Sequence, residues 1–129
     1  IPDPLWSRGL GDVYKRQALA MGVKAGLKPD IMLEAIQAGT GRNAATDLVI
    51  PENVLSRSFD FGATIEILLK DVNLALEEGE NQGVPQFVCQ QTRQMLLLAA
   101  HKGWRQKDLS EWSKLVEEWA GVKISSSSN

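Results

Sequence analysis

The sequence predicts an all-α helical bundle, on three observations. No segment alternates apolar and polar residues with the two-residue period of a half-buried strand. Apolar residues recur instead at three- and four-residue spacing in successive stretches. The connections between those stretches are short and carry Gly or Pro, which places sequential helices side by side.

Taken in order, residues 1–17 (IPDPLWSRGLGDVYKRQ) show no apolar period, and Pro2, Pro4, Gly9 and Gly11 predict irregular chain. A short helical piece follows with Leu19, Met21, Val23 and Ala25, stopped by Gly26. Pro29 suits a first helical position. Ile31, Met32, Ala35 and Ile36 then recur at helical spacing, and Gly39 is the expected cap. Gly39-Thr40-Gly41-Arg42-Asn43 reads as a loop. Asn43 can cap a short helix to Val49, and Pro51 starts a separate turn over 51–56. Phe59-Asp60-Phe61-Gly62 is irregular.

Thr64 can cap the longest uninterrupted pattern, 64–82. Ile65, Leu68, Leu69, Val72 and Leu76 make one stripe, with Ile67 and Leu74 roughly opposite. A helix apolar on two sides is expected in the interior. Lys70 falls beside the smaller patch. A lysine there must pair, extend its head to water or meet a ligand, because a bare buried ammonium is costly. Gly83-Val84-Pro85 ends the helix. The next helix, 86–102, has an expected inner face of Phe87, Val88, Met95, Leu98 and Ala99, closed by Gly103. In the last helix, opened by Lys107 or Asp108, Leu109, Trp112, Leu115, Val116 and Trp119 share one side. Glu111, Lys114, Glu117 and Glu118 are expected outside. From Ile124 the chain reads as a polar tail, which places a disordered tail at 123–129.

The chain has 129 residues, enough for one domain with its own core. Hydrophobic content of 43% and charged content of 23% are ordinary for a globular protein. The net charge of −2, without a basic cluster, argues against nucleic acid as a partner. No apolar run reaches the length of a bilayer span, and no charged-then-apolar leader is seen. Cys89 alone forms no internal disulfide, which fits a reducing compartment and a cytoplasmic location. It is expected as a small core residue. One histidine and one cysteine exclude a Cys/His zinc cage, and no metal site is predicted. Glu77, Glu78 and Glu80 read as a solvated helix face. His101, near a helix C-terminus, is favoured there by the dipole. The chain carries no G-x-G-x-x-G and no P-loop of its own.

Five stretches together resemble one family. They are A-L-A-M-G-V-K-A-G-L at 18–27, A-I-Q-A-G at 35–39, G-T-G-R at 39–42, F-D-F-G followed by L-L-K-D-V-N-L-A-L at 68–76, and G-V-P at 83–85. This pattern looks like the C-terminal helical domain of the β-hydroxyacid dehydrogenases, the 3-hydroxyisobutyrate dehydrogenase family, over 18–122. K-D-x-x-L-A with the downstream G-V-P is its most specific part. The resemblance implies a bundle similar to the C-terminal domain of 6-phosphogluconate dehydrogenase. It implies an absent N-terminal Rossmann domain that holds most of the NAD or NADP. It also implies oxidation of a small 3-hydroxy acid to its semialdehyde, or the reverse, in the cleft between the domains. By similarity Lys70 is the cofactor-facing lysine and Asp71 the acid at the edge of the substrate pocket; where the family commonly has a pocket phenylalanine this chain has Ala63, so either Phe61 or Phe59 fills in or the substrate is larger. The helical domain is also expected to pair, as a homo-oligomer.

Two departures shape the expectation. Gly9-x-Gly11-x-x-x-Lys15 repeats the spacing that precedes the family's catalytic lysine, but the helix from Lys15 to A-L-A-M-G is about four turns too short. The asparagines after that lysine are replaced by Arg16-Gln17-Ala18-Leu19. No catalytic residue is therefore assigned in this chain. Residues 10–17 (LGDVYKRQ) also resemble a translated adapter remnant, so 1–17 are expected to be non-native or disordered. The resulting expectation is a dehydrogenase fragment, inactive alone. The alternative is a free-standing helical interaction module, with apolar surface open around Leu33, Ile36 and the Trp112 face.

Overall fold

The structure is a computed structural model; it describes residues 5–39 and 45–126, apart from the side chains of 5–14 and 45–48. The order is α1 (Leu5–Lys24), α2 (Pro29–Ala38), a wide π-type helix (Ala45–Leu55), α3 (Ile65–Asn81), α4 (Phe87–His101), a 3-10 turn (Leu109–Trp112) and α5 (Ser113–Ala120). Among the described residues there is no strand, only an isolated antiparallel bridge between Thr64 and Asp108. The all-α expectation holds.

The boundaries follow local chemistry. Thr64 caps α3 by accepting a hydrogen bond from Ile67 N, and Gly83 at φ 70° takes the chain out of the helix. Gly79 leaves room for Gln86, whose Nε2 would lie 1.6 Å from an added Cβ. That amide donates to Leu76 O at 3.2 Å, tying the α3–α4 turn to the helix it leaves. Pro29 starts α2 and Gly39 caps it in an extended conformation.

The core has two connected parts. One joins Leu19 and Ala20 of α1, Leu33 of α2, Ile50, Val54 and Leu55 of the π-type helix, Val116 and Ile124. The other joins Ile65, Leu68, Leu69, Val72 and Leu76 of α3 to Leu96 and Ala99 of α4, Trp112 and Leu115. Each fully buried Leu or Ile contributes about 2 kcal/mol of transfer free energy, so the five-residue α3 stripe anchors the second part.

Several expectations are corrected by packing. Residues 5–24 are one helix through Gly9 and Gly11, where irregular chain was predicted. Two interior glycines disfavour it by about 1 kcal/mol each, and α1 overcomes this by packing against α2, α3, α4, α5 and the π-type helix. Arg16 of that segment is almost fully buried, with its guanidinium 5.7 Å from the centre of the Trp112 ring and Nη1 donating to Leu109 O at 3.4 Å. Leu33 and Trp112 are consequently buried and Ile36 is half-buried, so the expected open apolar surface there is covered.

The helix to Val49 and the turn at Pro51 merge into Ala45–Leu55, with Pro51 inside. Asn43 and residues 40–42 of the glycine loop lie outside the described residues. On α3, Ile67 and Leu74 are exposed, so the helix buries one face and not two. On α4, Phe87 (81% exposed), Val88 and Leu98 point outward, while Thr92, Leu96 and Ala99 are buried. The stripe actually used is shifted around the helix because α4 meets α3 through that side. Cys89 is half-buried against the second core, as expected. Trp119 is exposed and Glu117 buried, the reverse of the expectation for both. Ile124 is fully buried and Ser126 N donates to Leu55 O at 3.0 Å, so the chain as far as 126 packs on the core. Residues 127–129 lie outside the described residues.

Candidate functional site

Backbone hydrogen bonds assemble the site. Ile65 N donates to Lys107 O at 3.0 Å and Glu66 N to Arg105 O at 2.9 Å, so the loop after α4 closes over the start of α3. Leu109 N donates to Ala63 O at 2.8 Å, and Gly62 N to Asp108 Oδ2 at 2.8 Å. Two of the free N–H groups of the first α3 turn, those of Ile65 and Glu66, are thus satisfied by the loop.

Asp108 is the clasp. Burial opposes its charge. The Ser110 hydroxyl and the backbone N–H groups of Gly62, Ser110 and Phe61 outweigh that, holding its carboxyl below the usual 3.8. A carboxylate whose folded value is depressed stabilises the fold above its unfolded value and ceases to as acid protonates it. Asp108→Ala should therefore lower stability by about 1 kcal/mol near neutral pH, as loss of an N-cap does. The gap to the unaltered chain should close as pH falls below 3.8. Urea midpoints followed from neutral pH to well below 3.8 check this; a gap constant with pH would contradict it.

The loop closure brings Arg105 beside α3, where its Nη1 donates to Glu66 Oε2 at 2.7 Å. Packing of α4 along α3 brings Arg93 to the same side, where its Nε donates to Asn73 Oδ1 at 2.6 Å. Between these elements lies an open groove of about 400 Å³, lined by Glu66, Lys70, Asn73, Glu77, Arg93 and Arg105 together with Leu69, Leu74 and Leu97.

Lys70 therefore stands at a concave surface, but not in the setting predicted for it. It is exposed, and it makes no hydrogen bond or ion pair among the described residues. The apolar walls expected around it, Ile67 and Leu74, are themselves exposed at 44% and 55%. Asp71 is half-buried and falls about 100° further round the helix; it is not part of the groove lining. Phe61 is half-buried in the loop before α3 and also lies apart from the groove. Of Lys70, Asp71 and Phe61, only Lys70 lines this groove. Lys15 is buried within α1, away from the groove lining.

Sequence reasoning missed Arg93, Asn73 and Arg105. Arg93 and Arg105 lie far from Lys70 along the chain, and only the pairing of α3 with α4 and the closing loop unite them. One helix's periodicity carries no signal for that. Among the described residues no cluster of three His, Cys, Asp or Glu could hold a metal ion, and no helix is long and apolar enough to cross a membrane.

Comparison with protein families matches residues 13–116 to the family described as "NAD-binding of NADP-dependent 3-hydroxyisobutyrate dehydrogenase". The chain belongs to that family. The match begins at Val13, upstream of Ala18 where the sequence resemblance starts. The family is thus one of NAD-binding oxidoreductases by its description. The chain is 33% identical over 109 residues to 2-(hydroxymethyl)glutarate dehydrogenase of Eubacterium barkeri, covering 84% of this chain and 36% of that protein. It is 26% identical over 108 residues to a Dictyostelium discoideum protein named "Probable 3-hydroxyisobutyrate dehydrogenase, mitochondrial", covering 79% of this chain and 34% of that one. The chain spans about a third of the length of these curated relatives. The crystal structure of a 3-hydroxyisobutyrate dehydrogenase from Salmonella typhimurium superposes with a TM-score of 0.69 at 18% identity, over 86% of this chain and 39% of that one. At that identity the likeness speaks for the fold: the all-helical chain matches part of a dehydrogenase.

Proposed function

We propose that this chain is the helical part of an NAD(P)-dependent 3-hydroxyacid dehydrogenase. In that reading a separate nucleotide-binding part holds most of the cofactor, and a small 3-hydroxy acid is oxidised to its semialdehyde or formed from it. The observation that carries the reading is the family match along residues 13–116. The activity named for the Eubacterium relative, on a 3-hydroxy acid with two carboxylates, agrees with the substrate class.

Lys70 fits the anionic groups such a reaction brings. An ammonium without an internal partner, at the wall of a groove, can meet a phosphate or carboxylate without first breaking an ion pair. The nicotinamide, when bound, accepts or gives the hydride. The chain's own part is to place positive charge, shape the substrate side and exclude water. Asp71 and Phe61 are assigned to the substrate side of the same cleft, beyond the groove. The acid/base group is assigned to the rest of the enzyme, so this chain alone is expected to be inactive. Pairing of two copies through the helical part belongs to the same reading.

A graft tests it. The chain should replace the matching part of the Eubacterium relative and restore oxidation of a 3-hydroxy acid, followed by NAD(P)H absorbance. In the graft, Lys70→Ala should lower kcat/KM by about tenfold or more, the scale of a lost charged contact to the reacting complex. Its melting temperature should move little, because Lys70 is exposed. A Lys70→Ala graft that melts early and keeps its kinetics would reduce Lys70 to a packing residue. Turnover by the unfused chain would refute the division of labour.

A further inference from the structure

Lys70 is not the only unused donor in the α3–α4 groove. Arg93 spends Nε on Asn73 Oδ1 at 2.6 Å, and its two terminal nitrogens make no hydrogen bond among the described residues. Asn73 follows Lys70 by three residues, so the two side chains are neighbours on α3, with Cβ atoms about 5–6 Å apart. Lys70 and Asn73, which holds the guanidinium of Arg93, thus lie on the same side of α3, and all three residues line the groove. Arg105 contributes no net charge, because Glu66 takes it at 2.7 Å. What is left is two open cations and one opposing carboxylate, Glu77.

We infer that the α3–α4 groove binds an oxyanion, a carboxylate or phosphate group of a small ligand, between Lys70 and the free edge of Arg93. Arg93 is the anchor. A planar guanidinium held at one nitrogen offers its remaining donors in the fork that carboxylate and phosphate oxygens match. Lys70 adds a point charge from the adjacent helix. Asn73 is a positioning residue: it fixes the guanidinium and leaves its ligand edge open. The groove accommodates the rest of a small molecule, with Leu69, Leu74 and Leu97 beside the charged groups. The inference draws on the dehydrogenase reading only in taking Lys70 to face a ligand.

The test uses the chain as it stands, labelled with ¹⁵N at low salt and titrated with acetate, glutarate and inorganic phosphate. Saturable shifts of the Arg93 Nε–H and the backbone amides of Lys70 and Asn73 are expected. Arg93→Gln should weaken binding about tenfold, the loss of one charge-assisted pair, and Asn73→Ala should weaken it less. Glu77→Gln should tighten binding about threefold by removing the opposing charge, a gain that misfolding cannot mimic. Saturation by glutarate alone assigns a carboxylate ligand; saturation by phosphate alone assigns a phosphate. Shifts that rise linearly with all three anions would overturn the inference, as would an Arg93→Gln variant binding as well as the unaltered chain, or no gain from Glu77→Gln. Such a failure leaves NAD(P)H turnover by the graft intact. A dead graft with a working groove would break the dehydrogenase reading instead.

Discussion

Trp112→Ala should remove about 3–5 kcal/mol of stability, the range for truncating a buried aromatic. Single domains are typically stable by only about 5–15 kcal/mol, so this one change should bring the chain close to unfolding. The indole is 2% exposed and packs with Leu68, Val72, Leu96 and Leu115 where α3, α4 and α5 meet. Arg16 of α1 lies over its ring at 5.7 Å. Truncation therefore opens a cavity and also strips the apolar and π surface against which a buried guanidinium rests. Trp112→Phe separates the two contributions. The indole N–H has no acceptor among the described residues, so phenylalanine loses no hydrogen bond there. It should cost about 1–2 kcal/mol, mostly in volume. Urea denaturation followed by circular dichroism measures both. An alanine variant within about 1 kcal/mol of the unaltered chain, far under the usual range, would mean that the three helices do not meet on this side chain.

Glu117→Ala should cost about 3 kcal/mol, the low end of the range for breaking a buried ion pair. Arg57 Nη1 donates to Glu117 Oε2 at 2.5 Å and to Ile124 O at 3.1 Å, and Ile124 N donates to Glu117 Oε2 at 2.6 Å. One carboxylate thus closes a ring that pins residues 122–126 to α5. Alanine would leave Arg57 and the Ile124 amide without their acceptor. The Arg57 side chain retains 25% exposure, so water relieves part of that loss. The ring also holds backbone strain: Arg57 and Phe59 sit at φ 65° and 48°, which disfavours non-glycine residues by about 1–2 kcal/mol each. The Arg57 guanidinium at 4.6 Å and the Lys114 ammonium at 4.3 Å both lie over the Phe59 ring, helping to hold that turn. Glu117→Gln keeps an oxygen for the Ile124 amide and should fall between the two. Hydrogen exchange at the Ile124 and Ser126 amides should speed up in the alanine variant before the rest of the chain responds. Unchanged protection there would show that the segment is held by Ile124 packing alone.

Glu117 also marks where reading from sequence reaches its limit. On a helical wheel it belongs with Glu118 on the solvent side. It is buried because Arg57, sixty residues away, arrives beside it. The α4 face follows the same logic. Phe87, Val88 and Leu98 are as apolar as its buried residues, yet only the contact with α3 selects the side carrying Thr92, Leu96 and Ala99. Gly9 and Gly11 argued for a break that α1 does not make, because packing outweighed propensity. By contrast, the ends of α3 were legible: a threonine accepting from Ile67 N and a glycine at φ 70° act within one turn.

For the site, Lys70 was legible as a residue needing an explanation, and its position at a groove is what the structure adds. Arg93 and Arg105 were not legible as its neighbours. The all-helical class, the ends of α2 and α3, and membership of the dehydrogenase family were written in the order of the residues. These depend on interactions within a few positions, or on motifs whose spacing is itself sequence. The tertiary structure alone decided which faces are buried, that a glutamate becomes a buried clamp, and which cations share a groove. Those outcomes depend on contacts between segments distant in the chain, where burial and charge are set by the partner and not by the residue.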